Sequence, residues 1–231
     1  MPQESNSANN SLIPPDAMPA GVEAFTRQVH SLLDGQRKDD AVVAKVLEGW
    51  DEMFDLIAAG LYSLASMLVG EGEDSVRLVE TTIATAEVSA CQDPVAARQS
   101  SRRALGAPAL EILERRNPGC LAAPQGVAAA GTCIEDDDLN AAGVSRDELE
   151  RMIVGPDRDR VRKWLESLPT PVRTIFVLRA VAGLSAAETA ELLVAHGGPK
   201  AAGWNQDGVR EFFRQGLCSL ASQLIQATTA R

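Results

Sequence analysis

Between Val161 and Leu224 apolar residues recur at helical spacing, interrupted by glycine-marked breaks, and this pattern limits the fold more than any other feature of the sequence. In VRKWLESLPTPVRTIFVLRAVAGLSAAETAELL, Ile175, Leu178 and Val181 mark one segment, and Ala187, Ala190, Leu192 and Leu193 mark the next. Gly183 stands where a helix C-terminus favours glycine, because a residue without Cβ enters the left-handed region at little cost. Ser185 then opens the following segment with Glu188 three residues on, a capping box that satisfies two otherwise orphaned backbone donors. After a polar, glycine-rich gap, GVREFFRQGLCSLASQL places Val209, Phe213, Leu217, Leu220 and Leu224 on one stripe. Helix, glycine turn, capped helix, loop and amphipathic helix is the order of a helix-turn-helix. Phe212, adjacent to the core position Phe213, is expected to point partly outward and to pack under Trp204 rather than form an interface.

The rest of the chain extends the helical theme. Aromatic residues make up only 4% of the 231 residues, so any core must rest on Leu, Val, Ile and Ala. Runs rich in β-branched residues are absent, and the expected fold class is all-α. Residues 1–20 are polar and proline-rich and are expected to be disordered, with a short helix over 21–34. From Asp40 to Val69 apolar residues follow the i, i+3, i+4, i+7 rule until Gly70-Glu71-Gly72 breaks it. Glu73-Asp74-Ser75 opens a second helix striped by Val76, Val79, Ile83 and Ala86. A third begins near Pro94 and is expected to kink or split at Gly106 and Pro108 before ending at Arg116. Apolar periodicity then lapses through 117–157, which holds Pro, Gly and the acidic run Glu135 to Asp138. The expected organisation is therefore a tail with a short helix (1–39), a helical domain (40–116), a flexible acidic linker (117–157) and a helix-turn-helix domain (158–231), the two domains having separate cores.

Charge and cysteine usage narrow the function. The chain carries a net charge of −10, yet residues 156–231 hold ten basic and seven acidic side chains. A protein this acidic repels free DNA unless a basic partner brings it there, because phosphate neutralisation supplies most non-specific affinity. Cys91, Cys120, Cys133 and Cys218 show no CxxC spacing, and His30 and His196 lie far from them, so neither metal nor cofactor is expected. No 18-residue apolar run or signal sequence is present, which points to a cytoplasmic chain with reduced thiols and no membrane partner. No nucleophile motif or phosphate-cradling glycine loop is found either, and the chain is read as a non-enzyme.

Leu168-Pro169, Arg173, Val177-Leu178-Arg179, Gly183-Leu184-Ser185, Glu188, Ala190-Glu191 and Leu193 together resemble the promoter-reading C-terminal domain of bacterial RNA polymerase sigma factors of the extracytoplasmic-function class. LYSLASMLVGEGEDSVRLVETTI (Leu61 to Ile83) and ARQSSRRALGAPALEILERR are similar to the other conserved sigma domain, which docks on the polymerase and melts the minus-ten element. The resemblance implies core RNA polymerase and promoter DNA as partners, with an anti-sigma factor as a further partner class. It assigns polymerase contact to Asp74, Arg77, Leu78 and Glu80, and DNA contact to Arg98, Arg102, Arg103, Arg115, Arg116, Arg210 and Arg214. Against DNA contact stands a salt-bridged helix face, with Glu111 and Glu114 as partners for the first five arginines. Arg77 replaces the acidic residue usual in the family, and the gap before the last helix is longer than the family's turn. The acidic run reads either as a solvated tether or as a phosphate mimic. Two functions follow: a sigma factor that directs polymerase to promoters, or a sigma-like protein that binds polymerase or an anti-sigma factor without reading DNA.

Overall fold

Every regular element among the described residues is helical. The computed structural model describes residues 58–85, 94–124 and 133–229, with the side chains of 94–98 and 227–229 excluded. The expected tail over 1–39 and the start of the first long helix at Asp40 lie outside these residues.

Helix α1 occupies residues 58–69 and inserts Leu61, Leu64 and Leu68, each at most 2% exposed, from one face. It stops where Gly70 takes φ 87°, a conformation that favours glycine. α2 (Glu73–Thr85) carries Glu73 and Asp74 in its first turn, where the helix dipole favours them, and buries Leu78, Val79 and Thr82. α3 (Pro94–Ala104) and α4 (Gly106–Arg116) are separated only at Leu105, whose side chain is fully buried, so the expected split near Gly106 is present.

The segment expected to be a flexible linker differs from that expectation over 133–157. Leu139–Ala142 forms a 3-10 turn capped by the Asp138 carboxylate, which accepts from the Asn140 amide at 2.7 Å. α5 (Arg146–Val154) follows, opened by a full capping box between Ser145 and Glu148. Leu139, Ala142, Val144, Leu149 and Ile153 are all buried. The physical reason is local: Ser145 and Glu148 supply both cap hydrogen bonds, and Leu149, Met152 and Ile153 fall on one helical face.

α6 (Arg158–Ser167) and α7 (Thr170–Phe176) lead into a π turn, Val177–Val181, in which Ala182 donates to the Val177 carbonyl at 3.0 Å. Gly183, at φ 79°, reverses the chain. α8 (Ala186–His196) begins with the expected Ser185–Glu188 capping box. The gap that follows contains a 3-10 turn, Pro199–Ala201, and leads to the 24-residue α9 (Gln206–Thr229). α9 packs mainly on α7 and α8. Its approach to α7 is close at Gly216, where a Cβ would sit 2.9 Å from Phe176 Cδ2. Phe176 in turn meets Trp164 edge-on at 5.1 Å and Phe213 at 5.7 Å between ring centroids.

One continuous hydrophobic cluster runs from Leu61 to Leu220, so the two helical groups share a core rather than having one each. α4 lies on α8, and a Cβ at Gly106 would meet Leu192 Cδ1 at 3.1 Å and Leu178 Cδ2 at 3.4 Å. The Ala123 amide donates to the Lys200 carbonyl at 2.9 Å, and the Trp204 indole donates to the Leu121 carbonyl at 2.8 Å. Glu71, in the glycine turn after α1, pairs with both Arg158 and Arg162 of α6. Separate cores are the expectation from the lapse of apolar periodicity and the Pro, Gly and acidic content over 117–157. In three dimensions α4 packs directly on α8, and the apolar residues on both sides of that segment are buried together.

Candidate nucleic-acid interface

Arg210 and Arg214 stand one helical turn apart on α9, and the π turn brings a third arginine beside them. Arg179 projects from Val177–Val181 with its guanidinium carbon 4.2 Å from the centroid of the Phe213 ring, a cation–π contact. The three differ in burial: the side chain of Arg179 is 14% exposed, that of Arg214 29% and that of Arg210 43%.

The acidic run lies across this cluster. Asp137 Oδ2 is 2.9 Å from Arg179 Nη1 and 3.6 Å from Arg210 Nε, so a single carboxylate bridges two arginines. Arg214 donates through Nη1 to the Glu135 carbonyl at 3.1 Å and through Nη2 to the Glu211 carboxylate at 2.8 Å. Arg210 also reaches Asp207 at 3.5 Å. The Nε atoms of Arg179 and Arg214 are buried and make no hydrogen bond, so the acidic run does not use all the donors that the cluster offers. Three anchors hold the run in place. A disulfide joins Cys133 to Cys218 on α9, Ile134 is buried, and on the far side Asp138 caps the 3-10 turn that buries Leu139. The expectation of reduced thiols is thus corrected at this pair. Cys120 remains a thiol whose pKa is pushed up by burial and by the Glu114 carboxylate, and Cys91 lies outside the described residues.

The other arginines assigned to DNA are engaged differently. Arg102 ties α3 to α5 and to the π turn, donating to Glu150 at 2.7 Å and to the Val181 carbonyl at 3.3 Å. Arg103 pairs with Glu188 of the α8 capping box at 3.3 Å. Arg116 closes α4 onto the start of α2 through Asp74, at 2.8 Å from Nε, and onto the Val69 carbonyl. Arg115 is exposed, and the side chain of Arg98 is outside the described residues. Salt bridges therefore do form, but not with the carboxylates expected: Glu111 meets His196 at 2.8 Å, and Glu114 accepts from the Gly119 amide.

Among the residues assigned to polymerase, Leu78 is 1% exposed and belongs to the core, so it is not available for contact. Arg77 pairs with Glu73 on the outer face of α2, where Val76 is 44% exposed. Asp74 is committed to Arg116, and Glu80 is half-buried.

No family model, curated protein or solved structure matches the chain. The site therefore has to be read from its own chemistry. Among the described residues no helix is long and apolar enough to cross a membrane.

Arg179 and the Cys133–Cys218 pair are the site residues that sequence reasoning missed, while Asp137 belongs to the acidic run read as a tether or a phosphate mimic, with no indication that it would meet this chain's own arginines. Arg179 was legible only as a motif residue, because its direction depends on the π turn. The two cysteines are 85 residues apart, and nothing in their spacing signals a bond. Phe212 was read correctly: it meets Trp204 edge-on at 4.9 Å.

Proposed function

We propose that the chain is a sigma-factor-like transcription initiation protein, which binds core RNA polymerase in the cytoplasm and directs it to specific promoters. Its helix-turn-helix would be α8 and α9, with α9 as the reading helix. The observation that carries this reading is the pairing of Arg210 and Arg214 on the helix that follows the Gly183 turn and the Ser185–Glu188 cap. Arginine recognises guanine edges through two parallel hydrogen bonds, each such contact giving about 1–3 kcal/mol of discrimination. The acidic balance of the chain is compatible with this role, because the polymerase supplies the basic channel. The outer face of α2, with Val76, Arg77 and Glu80, is the surface offered to the polymerase.

A second reading, a sigma-like interaction protein that never reads DNA, is favoured by one observation: Arg210 and Arg214 both already contact the acidic run. A pull-down with core polymerase followed by promoter-dependent transcription separates the two. Under the first reading, Arg210→Ala with Arg214→Ala abolishes promoter selection and leaves polymerase binding intact. Equal transcript levels from wild type and double variant would move the assignment to the second.

A further inference from the structure

Arg179, Arg210 and Arg214 converge on one face of α9, an acidic peptide of the same chain fills that face, and a covalent bond holds the peptide there. From this arrangement we infer that the face is a site for a nucleic-acid phosphodiester backbone, that Arg179 belongs to it, and that residues 133–138 form an autoinhibitory strap released by reduction of the Cys133–Cys218 disulfide. The inference draws on the proposed DNA-binding role of Arg210 and Arg214 for the identity of the ligand, but not for the strap.

The chemistry of the occupant points to the ligand. Asp137 places one anionic oxygen between two guanidinium groups, and the Glu135 carbonyl takes a donor from the third arginine. A phosphodiester also presents anionic oxygens to arginine donors, and successive phosphates along a strand can engage successive arginines. The strap has the advantage of being intramolecular. Anchored by the disulfide on one side and by buried Leu139 on the other, it sits at a high effective concentration that an external polyanion at ordinary concentration does not match.

Breaking the bond removes the covalent anchor. A dithiol donor attacks one sulfur, the mixed disulfide resolves, and two electrons and two protons pass to give two cysteine thiols while the donor leaves as its own disulfide. Cys133 is exposed, so a donor can reach it. Only the buried Ile134, the cap at Asp138 and the contacts of Glu135 and Asp137 then hold the strap. Of these, the Asp137 ion pairs with Arg179 and Arg210 are the contacts that salt and competing phosphates weaken, whereas neither weakens the disulfide.

The test uses the full chain, oxidised and after treatment with dithiothreitol. Hydrogen–deuterium exchange follows the peptide covering 133–138, and a short fluorescein-labelled DNA duplex is titrated by anisotropy. Reduction is expected to speed exchange in the strap while peptides over 172–181 keep their protection. It is also expected to tighten duplex binding about tenfold at low salt, with a salt slope steeper by about 2–3, as three new phosphate contacts require. Cys133→Ser should bind like the reduced protein without any dithiol. Asp137→Asn should tighten binding in the oxidised protein, because it frees two arginines without cutting the anchor. Unchanged exchange over 133–138, or a rise spread uniformly through the core peptides, overturns the strap. Faster exchange with no gain in duplex binding overturns the phosphate site and leaves the strap standing. Redox-gated DNA binding by a chain that fails to bind core polymerase would instead sink the sigma-like reading alone.

Discussion

Arg102 separates structural from DNA-facing arginines at the level of a single side chain. It is 16% exposed and donates to both Glu150 and the carbonyl of buried Val181, so its loss breaks the Glu150 pair and leaves that carbonyl without this donor. Arg102→Ala should therefore cost about 1–3 kcal/mol in urea unfolding. Arg115→Ala, on an exposed side chain, should cost less than about 0.5 kcal/mol. Equal losses would show that the α3–α5 tie contributes nothing special. The capping glutamates give a second residue-scale expectation, in pH. The backbone amide and then the hydroxyl of Ser185 hold the Glu188 carboxyl below its ordinary value, with Arg103 adding to the effect, and Ser145 does the same for Glu148. A carboxyl with a depressed folded-state pKa stabilises the fold above its unfolded value, here near 4.5, and loses that contribution as pH falls through the folded value. Thermal midpoints measured across pH should thus fall below about pH 4.5, and Glu188→Gln should flatten that acid limb and lower the midpoint between pH 6 and 8, where the carboxylate's contribution is present in full. An acid limb of the same steepness in the variant would mean the cap does not titrate with folding.

Among the elements, the contact between α7 and α9 is the least forgiving. Phe176 is 1% exposed and held by Trp164 and Phe213, so it cannot move aside for a Cβ at Gly216 only 2.9 Å away. Overpacking of this kind costs about 1–3 kcal/mol, against a helix-propensity gain of up to about 1 kcal/mol. Gly216→Ala should therefore lower the thermal midpoint despite being a better helix former. These helices were legible in the sequence because their signals are local: the Ser185–Glu188 box, the turn at Gly183 and the Val209–Phe213–Leu217–Leu220 stripe each state their structure within a few residues. The same local signal over Ser145–Glu148 was outweighed by the Pro, Gly and acidic content around it, and α5 was missed. The site was less legible than the helices. Arg210 and Arg214 share a helix face by spacing alone, but Asp137 reaches them only after the chain has folded back across α9. Contacts between residues about 75 positions apart leave no trace in periodicity.

For the molecule as a whole, the shared core predicts shared unfolding. A side chain added at Gly106 would press on Leu192 and Leu178 across the boundary between the two helical groups, so Gly106→Val should destabilise both groups together. Calorimetry should show one transition at lower temperature. Two separated transitions would restore the two-core organisation. Trp204 lies where these groups meet. Its indole is 5% exposed, donates to the Leu121 carbonyl and stands edge-on to Phe212. That makes it an optical gauge: while the joint is closed the ring is shielded and its emission is blue-shifted, and when residues 121–124 part from the turn before α9 it meets water and its emission moves to longer wavelength. With Trp50 and Trp164 replaced by Phe, the chain would carry a single intrinsic fluorophore that reports on this joint without any label.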